Sequence, residues 1–498
     1  MLSILVCHSY FLRFDPKQVE RGKPYPPLAT LQVAALLRRA GHRVALFDAM
    51  LAEGVAEYED KLAATQPDVV LLYEDNFNFL SKMCLGKMRR AACEMIGSAR
   101  RAGARVIASG ADVTDSPEPY LQAGADLALV GEGLATLLEL IPRLDASPGA
   151  RGGDLIEGLS GVAAVVDDNL VRLNGAKVLP TAAQQAEFAA WDLVEMDRYR
   201  DLWMRSHGYF SLNMAASRGC SFRCSWCAKP IWGNQYLQRS AANVAQEMLY
   251  LKHAFRPDHI WFADDIFGFR VEWVNEFAAA VTASGGAIAF TIQTRADLIS
   301  ERMAQALRSA QCREAWLGAE SGSQRVLDAM NKGTTVAEIV TARARLKSAG
   351  IRVGFFIQLG YLDEDLADIL ATRDLLARAR PDDVGVSVSY PLPGTKFHEL
   401  VKAQLGGKTR WQDSDDLEMM FQGTYTTEFY RAVRNLIHEQ VSLHSQPQAE
   451  ISRPRAVRRL ERRWNELLAE ESRYRSRRPE APVRRDIRTM DAAAPRGC

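Results

Sequence analysis

Three cysteines stand close together at Cys220, Cys224 and Cys227, inside Ser217-Arg-Gly-Cys-Ser-Phe-Arg-Cys-Ser-Trp-Cys-Ala228. The C-x3-C-x2-C spacing puts three thiols on one tight loop. A tetrahedral zinc ion needs a fourth Cys or His, usually as a second pair, and none flanks this loop. Three thiolates suit a [4Fe–4S] cube instead: they hold three irons and leave the fourth open to a small molecule. Such an iron can pass one electron into S-adenosylmethionine. Trp226, directly before the last cysteine, fits a loop where an aromatic packs near an adenine.

Further residues able to do chemistry gather where short apolar runs end. Asp264 and Asp265 lie in Phe262-Ala-Asp-Asp-Ile-Phe267, Glu320 and Ser321 in Gly318-Ala-Glu-Ser-Gly322, and Gly360 closes Gly354-Phe-Phe-Ile-Gln-Leu-Gly360. In the first part of the chain Gly110 and Gly131-Glu132-Gly133 hold similar places. Glycines let backbone amides approach a ligand, and a helix start offers free N–H groups. Each of these residues taken alone is also an ordinary turn or cap residue.

The elements that position them follow a β-α-β-α rhythm. Ser3–Cys7, Arg43–Phe47, Val69–Tyr73, Arg105–Ser109 and Leu127–Val130 read as buried strands, with helices over Leu28–Arg39 and Leu80–Ala102. This predicts a doubly wound parallel sheet over residues 1–145, which binds ligands beyond the carboxyl ends of its strands. Residues 146–205 read as a connector carrying a β-hairpin at Val162–Leu173 with the turn Asp167-Asp-Asn169. From 206 to 400 six strands alternate with helices: Ser211–Ala215, Ile260–Ala263, Ile288–Thr291, Glu314–Gly318, Val353–Leu359 and Gly385–Tyr390. That pattern predicts a partial (β/α)6 barrel with its chemistry at the carboxyl face. Residues 401–450 read as helical. Over 451–498 the arginine-crowded stretch Arg455–Tyr474 reads as a solvated helix, and the chain from Arg478 onward as disordered.

Composition sets few limits. The 498 residues carry a formal net charge of +1, which gives no argument for nucleic acid or a strongly acidic partner. Eight cysteines in so long a chain do not make a disulfide framework, and Cys7, Cys84, Cys93 and Cys312 read as core residues. No apolar run approaches the ~20 residues of a membrane span, and the N-terminus lacks a signal peptide's basic region. A cytoplasmic protein is expected.

Together these motifs resemble the cobalamin-binding radical S-adenosylmethionine (SAM) enzymes. Within them the chain looks most like the branch that holds the anaerobic magnesium-protoporphyrin monomethyl ester cyclase and several carbon or phosphorus methylases. The resemblance covers roughly residues 1–440 and rests on the cysteine loop, Arg239-Ser240, the three strand-end motifs above and Pro391-Leu-Pro-Gly-Thr395, with Pro-Pro-Leu28 and Gly131-Glu-Gly133 in the first domain. It implies three cofactors: a [4Fe–4S] cluster on Cys220, Cys224 and Cys227, S-adenosylmethionine, and cobalamin. Asp264 or Asp265 would accept from the ammonium of S-adenosylmethionine, and Glu320 from its ribose or ammonium. Ser321 and Gly322 would let backbone approach it, and Gly360 would make room for adenine. Gly110, Gly131, Glu132 and Gly133 would face cobalamin. The Asp-x-His-x-x-Gly motif of better-known cobalamin folds is absent, since strand one runs into Cys7-His8-Ser-Tyr-Phe-Leu-Arg13. The cofactor is therefore expected base-off, without a His ligand.

The implied activity is methyl transfer from methylcobalamin to a carbon activated by a 5′-deoxyadenosyl radical. A radical ring closure of the cyclase type is the alternative, and a non-catalytic cobalamin or iron–sulfur sensor a second one. The expected partners are a small-molecule substrate and an electron donor such as flavodoxin or ferredoxin. Trp203, Tyr209, Phe210 and Trp232 are expected near the barrel mouth, where they would suit an apolar or polycyclic substrate.

Overall fold

The computed structural model describes residues 1–78, 86–147, 149–150, 153–175, 179, 187–229, 231–406, 417–445 and 453–476. The expectations for Cys84, the start of the helix after Val69–Tyr73 and the chain beyond 476 lie outside the described residues.

Short β-branched and aliphatic runs make the first sheet: β1 (Ser3–Cys7), β2 (Arg43–Phe47), β3 (Val69–Tyr73), β4 (Arg105–Ser109) and β5 (Leu127–Leu129). Every residue of β3 is buried, as a strand covered on both faces requires. These strands are parallel in the order β2-β1-β3-β4-β5, so the winding reverses between β1 and β3. A ligand crevice opens at such a switch point. The hairpin β6 (Val162–Val166) and β7 (Asn169–Leu173) turns at Asp167 and Asp168, whose φ angles of 49° and 62° suit a two-residue primed turn. Its first strand pairs antiparallel with β5. Val162–Leu173, read from sequence as part of a connector, is thus built into the first sheet. It covers an edge that the three-residue β5 would leave open.

The second sheet holds β8 (Ser211–Met214), β11 (His259–Phe262), β12 (Ala289–Thr294), β13 (Cys312–Glu320), β14 (Arg352–Leu359) and β15 (Asp383–Val388). All are parallel and adjacent in sequence order, the strand set of a partial (β/α)6 barrel. Phe262, Phe267, Phe277 and Phe290 pack edge to face between strands and helices on the outer side. Two short strands, β9 (Ser217–Arg218) and β10 (Leu237–Gln238), pair antiparallel and clip together the ends of the cysteine loop. Gly219 inside that clip has φ +75°, and a Cβ there would lie 2.3 Å from the Gln235 carbonyl oxygen. Only glycine fits.

The arginine-rich segment departs from the sequence expectation. The helix Arg453–Ala469 is not simply solvated: Leu460, Trp464 and Leu467 are buried, at the i, i+4, i+7 spacing of one apolar stripe. It packs on the helix Thr427–Ser445, with Arg459 and Arg463 on Glu439, and the Arg373 guanidinium lies 5.1 Å from the Trp464 ring centre. Among the described residues no helix is long and apolar enough to cross a membrane.

Candidate functional site

The cysteine loop leaves β8 and is stitched to the barrel's carboxyl face by two backbone bonds and one from a side-chain amide. Ser225 N–H donates to the Met330 carbonyl (2.8 Å), Phe397 N–H to the Ser225 carbonyl (3.0 Å), and the Asn331 amide to the Arg223 carbonyl (2.8 Å). Lys229 folds back inside the loop onto the carbonyls of Cys220 and Phe222. Arg295, after β12, lies 3.8 Å from Cys224 Sγ, with its guanidinium 3.7 Å from the Phe222 ring centre. It is anchored in turn on the Lys332 carbonyl and Thr334. Burial pushes the Cys227 thiol up to about 12, and the charges of Asp265 and Cys224 act the same way. A thiolate there therefore needs a bound cation to stabilise it. The loop's donor set is three thiols on one short segment, the number that a [4Fe–4S] cubane with one open iron takes. Cys7 and Cys312 are buried core residues, as expected; Cys93 is only half-buried.

The carboxylates at the strand ends divide into two kinds. Asp264 is fully buried and accepts from the Ala216 N–H (3.0 Å) and the Ser217 hydroxyl. Burial raises its carboxyl to about 7. It locks the junction of β8 and β9 and is not free to receive an ammonium group, contrary to one of the two sequence expectations. Its neighbour Asp265 is exposed and close enough to Cys220 and Cys227 to raise both thiols. Glu320 has φ +60°, at a register shift between β13 and β14. A non-glycine residue held there is strained, a feature that collects at functional sites. Its carboxylate pairs with Lys332 (2.7 Å), and both groups are buried above Gly318 at the barrel mouth.

Three other expected contacts are taken up by packing. The Ser321 hydroxyl lies 3.2 Å from that of Thr372 and accepts from Ser323 N–H. A Cβ on Gly322 would lie 2.1 Å from the Ala371 carbonyl oxygen, so this glycine admits the helix Leu366–Ala379 and not a cofactor. Gly360 (φ +74°) donates to Glu364 (2.5 Å), and Met419 and Tyr430 fill the space beside it that adenine was expected to use.

On the first sheet, His8 is buried, with Nε2 2.9 Å from Asp48 and 3.0 Å from the Ala49 nitrogen. Burial pulls the imidazole down, but Asp48, Glu74 and Asp75 outweigh it and raise it. Nε2 is thus already engaged by Asp48 and the Ala49 backbone. The Gly131 N–H is spent on Thr114 (3.0 Å). Gly110 and Gly133 are required by close contacts, since a Cβ would meet Glu74 at 2.8 Å and Leu129 at 2.7 Å. Glu132 is engaged by the other half of the chain: its buried carboxylate pairs with Arg218 and accepts from Trp232 (3.2 Å) and Leu179 N–H (2.9 Å), so it braces the entry of the cysteine loop. Beside these, the Ser109 hydroxyl is buried at the end of β4 with no hydrogen-bond partner, and the Asn76 side chain is buried just after β3. A ligand rich in amides, such as cobalamin, fits that crevice by offering the Ser109 hydroxyl a partner.

The expected aromatic mouth is also redrawn. Trp203, Tyr209 and Phe210 lie at the amino end of β8, opposite the cysteine loop. Trp203 is buried, donates to the Pro24 carbonyl (2.7 Å) and packs on Tyr25, so it clamps the two sheets together. Only Trp232 stands on the loop side, packed on Phe77 (5.2 Å) after β3. Sequence reasoning missed Arg218, Arg295 and Lys332. Only Arg218 carried a local signal, as the basic residue inside the cysteine motif.

Residues 19–141 match the B12 binding domain, and residues 214–376 match the radical SAM superfamily. The chain is 25% identical to an uncharacterized methyltransferase of Pyrococcus horikoshii over 77% of this chain and 80% of that protein. It is 25% identical to the hopanoid C-3 methylase of Methylococcus capsulatus, over 76% and 69%. Its fold is similar to that of TsrM from Kitasatospora setae, a radical S-adenosylmethionine methyltransferase solved with cobalamin and a [4Fe–4S] cluster. That likeness has a TM-score of 0.63 at 18% identity and covers 81% of this chain and 75% of the other. With a cobalamin fold whose strand ends abut the cysteine loop of a radical SAM barrel, the chain belongs to the B12-binding radical SAM enzymes.

Proposed function

We propose that this enzyme transfers a methyl group to an unactivated carbon of a small molecule. The observation that carries the reading is the meeting of the two carboxyl faces. Glu132, after β5, reaches Arg218, two residues before Cys220, and Phe77, after β3, packs on Trp232. When bound, the cluster supplies the electron that cleaves S-adenosylmethionine to a hydrogen-abstracting radical, and cobalamin supplies the methyl group. The chain's own part is to hold and orient. Asp265 accepts from the ammonium of S-adenosylmethionine. Glu320, steadied by Lys332, accepts from its ribose or ammonium. Arg295 balances the thiolate of Cys224. The clamped faces exclude water from the radical. A one-electron donor of the flavodoxin or ferredoxin type supplies the reductant, and the cytoplasm is the compartment that suits such a cluster. The names of the similar methyltransferases support methyl transfer over ring closure.

Anaerobic incubation with dithionite and S-adenosylmethionine tests this. The reconstituted protein should bind about four irons and release 5′-deoxyadenosine. Cys220→Ala, Cys224→Ala and Cys227→Ala should each abolish both, and Cys312→Ala neither. A chain that holds the cluster but never releases 5′-deoxyadenosine is a sensor. With a substrate in hand, a product that closes a ring without gaining a methyl group is the outcome that defeats the methylase reading.

A further inference from the structure

A closed eight-stranded barrel fills its interior with side chains. This six-stranded one does not. Along β13, Glu314, Trp316 and Gly318 are half-exposed, whereas Ala315, Leu317 and Ala319 are buried against the helices. The same alternation marks β11, where His259 and Trp261 are half-exposed between buried Ile260 and Phe262. On β14, Phe356 is half-exposed. The inner face therefore presents aromatic side chains to open space in the middle of a parallel sheet.

These side chains make a flat surface. Trp316 and Phe356 stack with ring centres 4.8 Å apart and planes 29° apart. Their neighbours across the strands are glycines. A Cβ on Gly354 would lie 2.5 Å from the Trp316 ring, and one on Gly385 3.3 Å from Phe356. The rings thus lie down on bare backbone. A polar edge stands above them. Gln358, two residues after Phe356 and on the same face of β14, is 4% exposed, and its Oε1 has no hydrogen-bond partner. An unpaired buried acceptor is costly unless a ligand donates to it.

We infer that the barrel interior takes a planar aromatic ring system that carries an O–H or N–H donor on its edge. The ring lies against Trp316 and Phe356 and the donor meets Gln358. This deepens the proposed methyl transfer by naming its substrate class, and rests on that reading. Stacking on the plate would place the ring below the Glu320–Lys332 pair at the mouth. Aliphatic substrates of equal bulk would forgo the stacking.

Equilibrium dialysis of the anaerobic holoprotein with 2-naphthol and with decahydro-2-naphthol separates flatness from apolarity, because both carry a hydroxyl on a two-ring skeleton. One saturable site is expected, with 2-naphthol bound at least about tenfold more tightly than its saturated counterpart. Phe356→Leu and Gln358→Met should each weaken 2-naphthol several-fold. Iron content reports whether each variant has folded, and either variant suffices if the other does not. Equal affinity for the two alcohols, no saturable site, or undiminished 2-naphthol binding in a folded variant overturns the assignment. Failure of the wild-type protein to release 5′-deoxyadenosine instead strikes the methyl-transfer reading, whatever binds in the barrel.

Discussion

Glu320 concentrates the chemistry of the mouth into one residue. It combines a left-handed backbone, a buried carboxylate and a buried ammonium partner at 2.7 Å. Removing one member of such a pair leaves the other charged and dry, which typically costs about 3–5 kcal/mol. Glu320→Ala should therefore melt at a clearly lower temperature and also bind S-adenosylmethionine about tenfold or more weakly, the loss of one charge-assisted bond. Adding Lys332→Met separates the two effects. The double variant should regain most of the lost stability, while S-adenosylmethionine affinity, measured by equilibrium dialysis, stays low. If the double variant binds S-adenosylmethionine like the parent, the pair is a structural brace and nothing more.

At the scale of elements, the end of β14 shows how a buried acid can make stability depend on pH. Glu364 is completely buried, receives the Gly360 N–H, and is raised by burial from 4.5 to about 8. Between those values the folded chain keeps a proton that the unfolded chain has released. Stability must then fall as pH rises from about 4.5 to about 8, because the unfolded state binds fewer protons. Glu364→Gln imitates the protonated acid and keeps an oxygen for Gly360. The melting temperature of the variant relative to the parent should climb steadily over pH 5–8 and level off above about 8. A difference that is flat across this range would show that Glu364 is ionised throughout. The clip formed by β9 and β10 belongs to the same scale: two residue pairs and one obligatory glycine hold an eighteen-residue loop, 219–236, closed at its base.

For the whole molecule the decisive contact is Glu132 with Arg218. It ties the end of β5 in one sheet to the entry of the cysteine loop in the other, and burial lowers the Arg218 guanidinium to about 10. Glu132→Ala should strand that guanidinium beside the cluster loop. No cysteine is touched, yet the reconstituted variant should lose iron to a chelator at least about tenfold faster than the parent. Glu132→Gln, which can still accept from Trp232 or the Leu179 N–H, should fall between the two. Identical rates of iron loss in all three proteins would mean that the two sheets hold their cofactors independently.

Much of this was written locally in the chain. A buried strand is a short apolar run, a helix is a 3.6-residue period, and three cysteines on one loop need only their spacing. Hence β1 to β4, the cysteine loop and the order of barrel strands were legible, because neighbours in sequence set them. What tertiary structure alone decided is which side chain meets which. Asp264 and Asp265 are adjacent in sequence, but only the first faces the β8–β9 junction. Gly322 and Gly360 look like residues that admit a ligand, yet a helix backbone and Met419 approach them. Trp203 and Phe210 lie close in sequence to the cysteine loop and at the opposite end of the barrel from it. The hairpin at Val162–Leu173 could be drawn from its turn, but not its docking on β5. The apolar stripe of Leu460, Trp464 and Leu467 was masked by the arginines around it. In each case the answer depends on strand register and on partners far away in sequence, which local pattern does not encode.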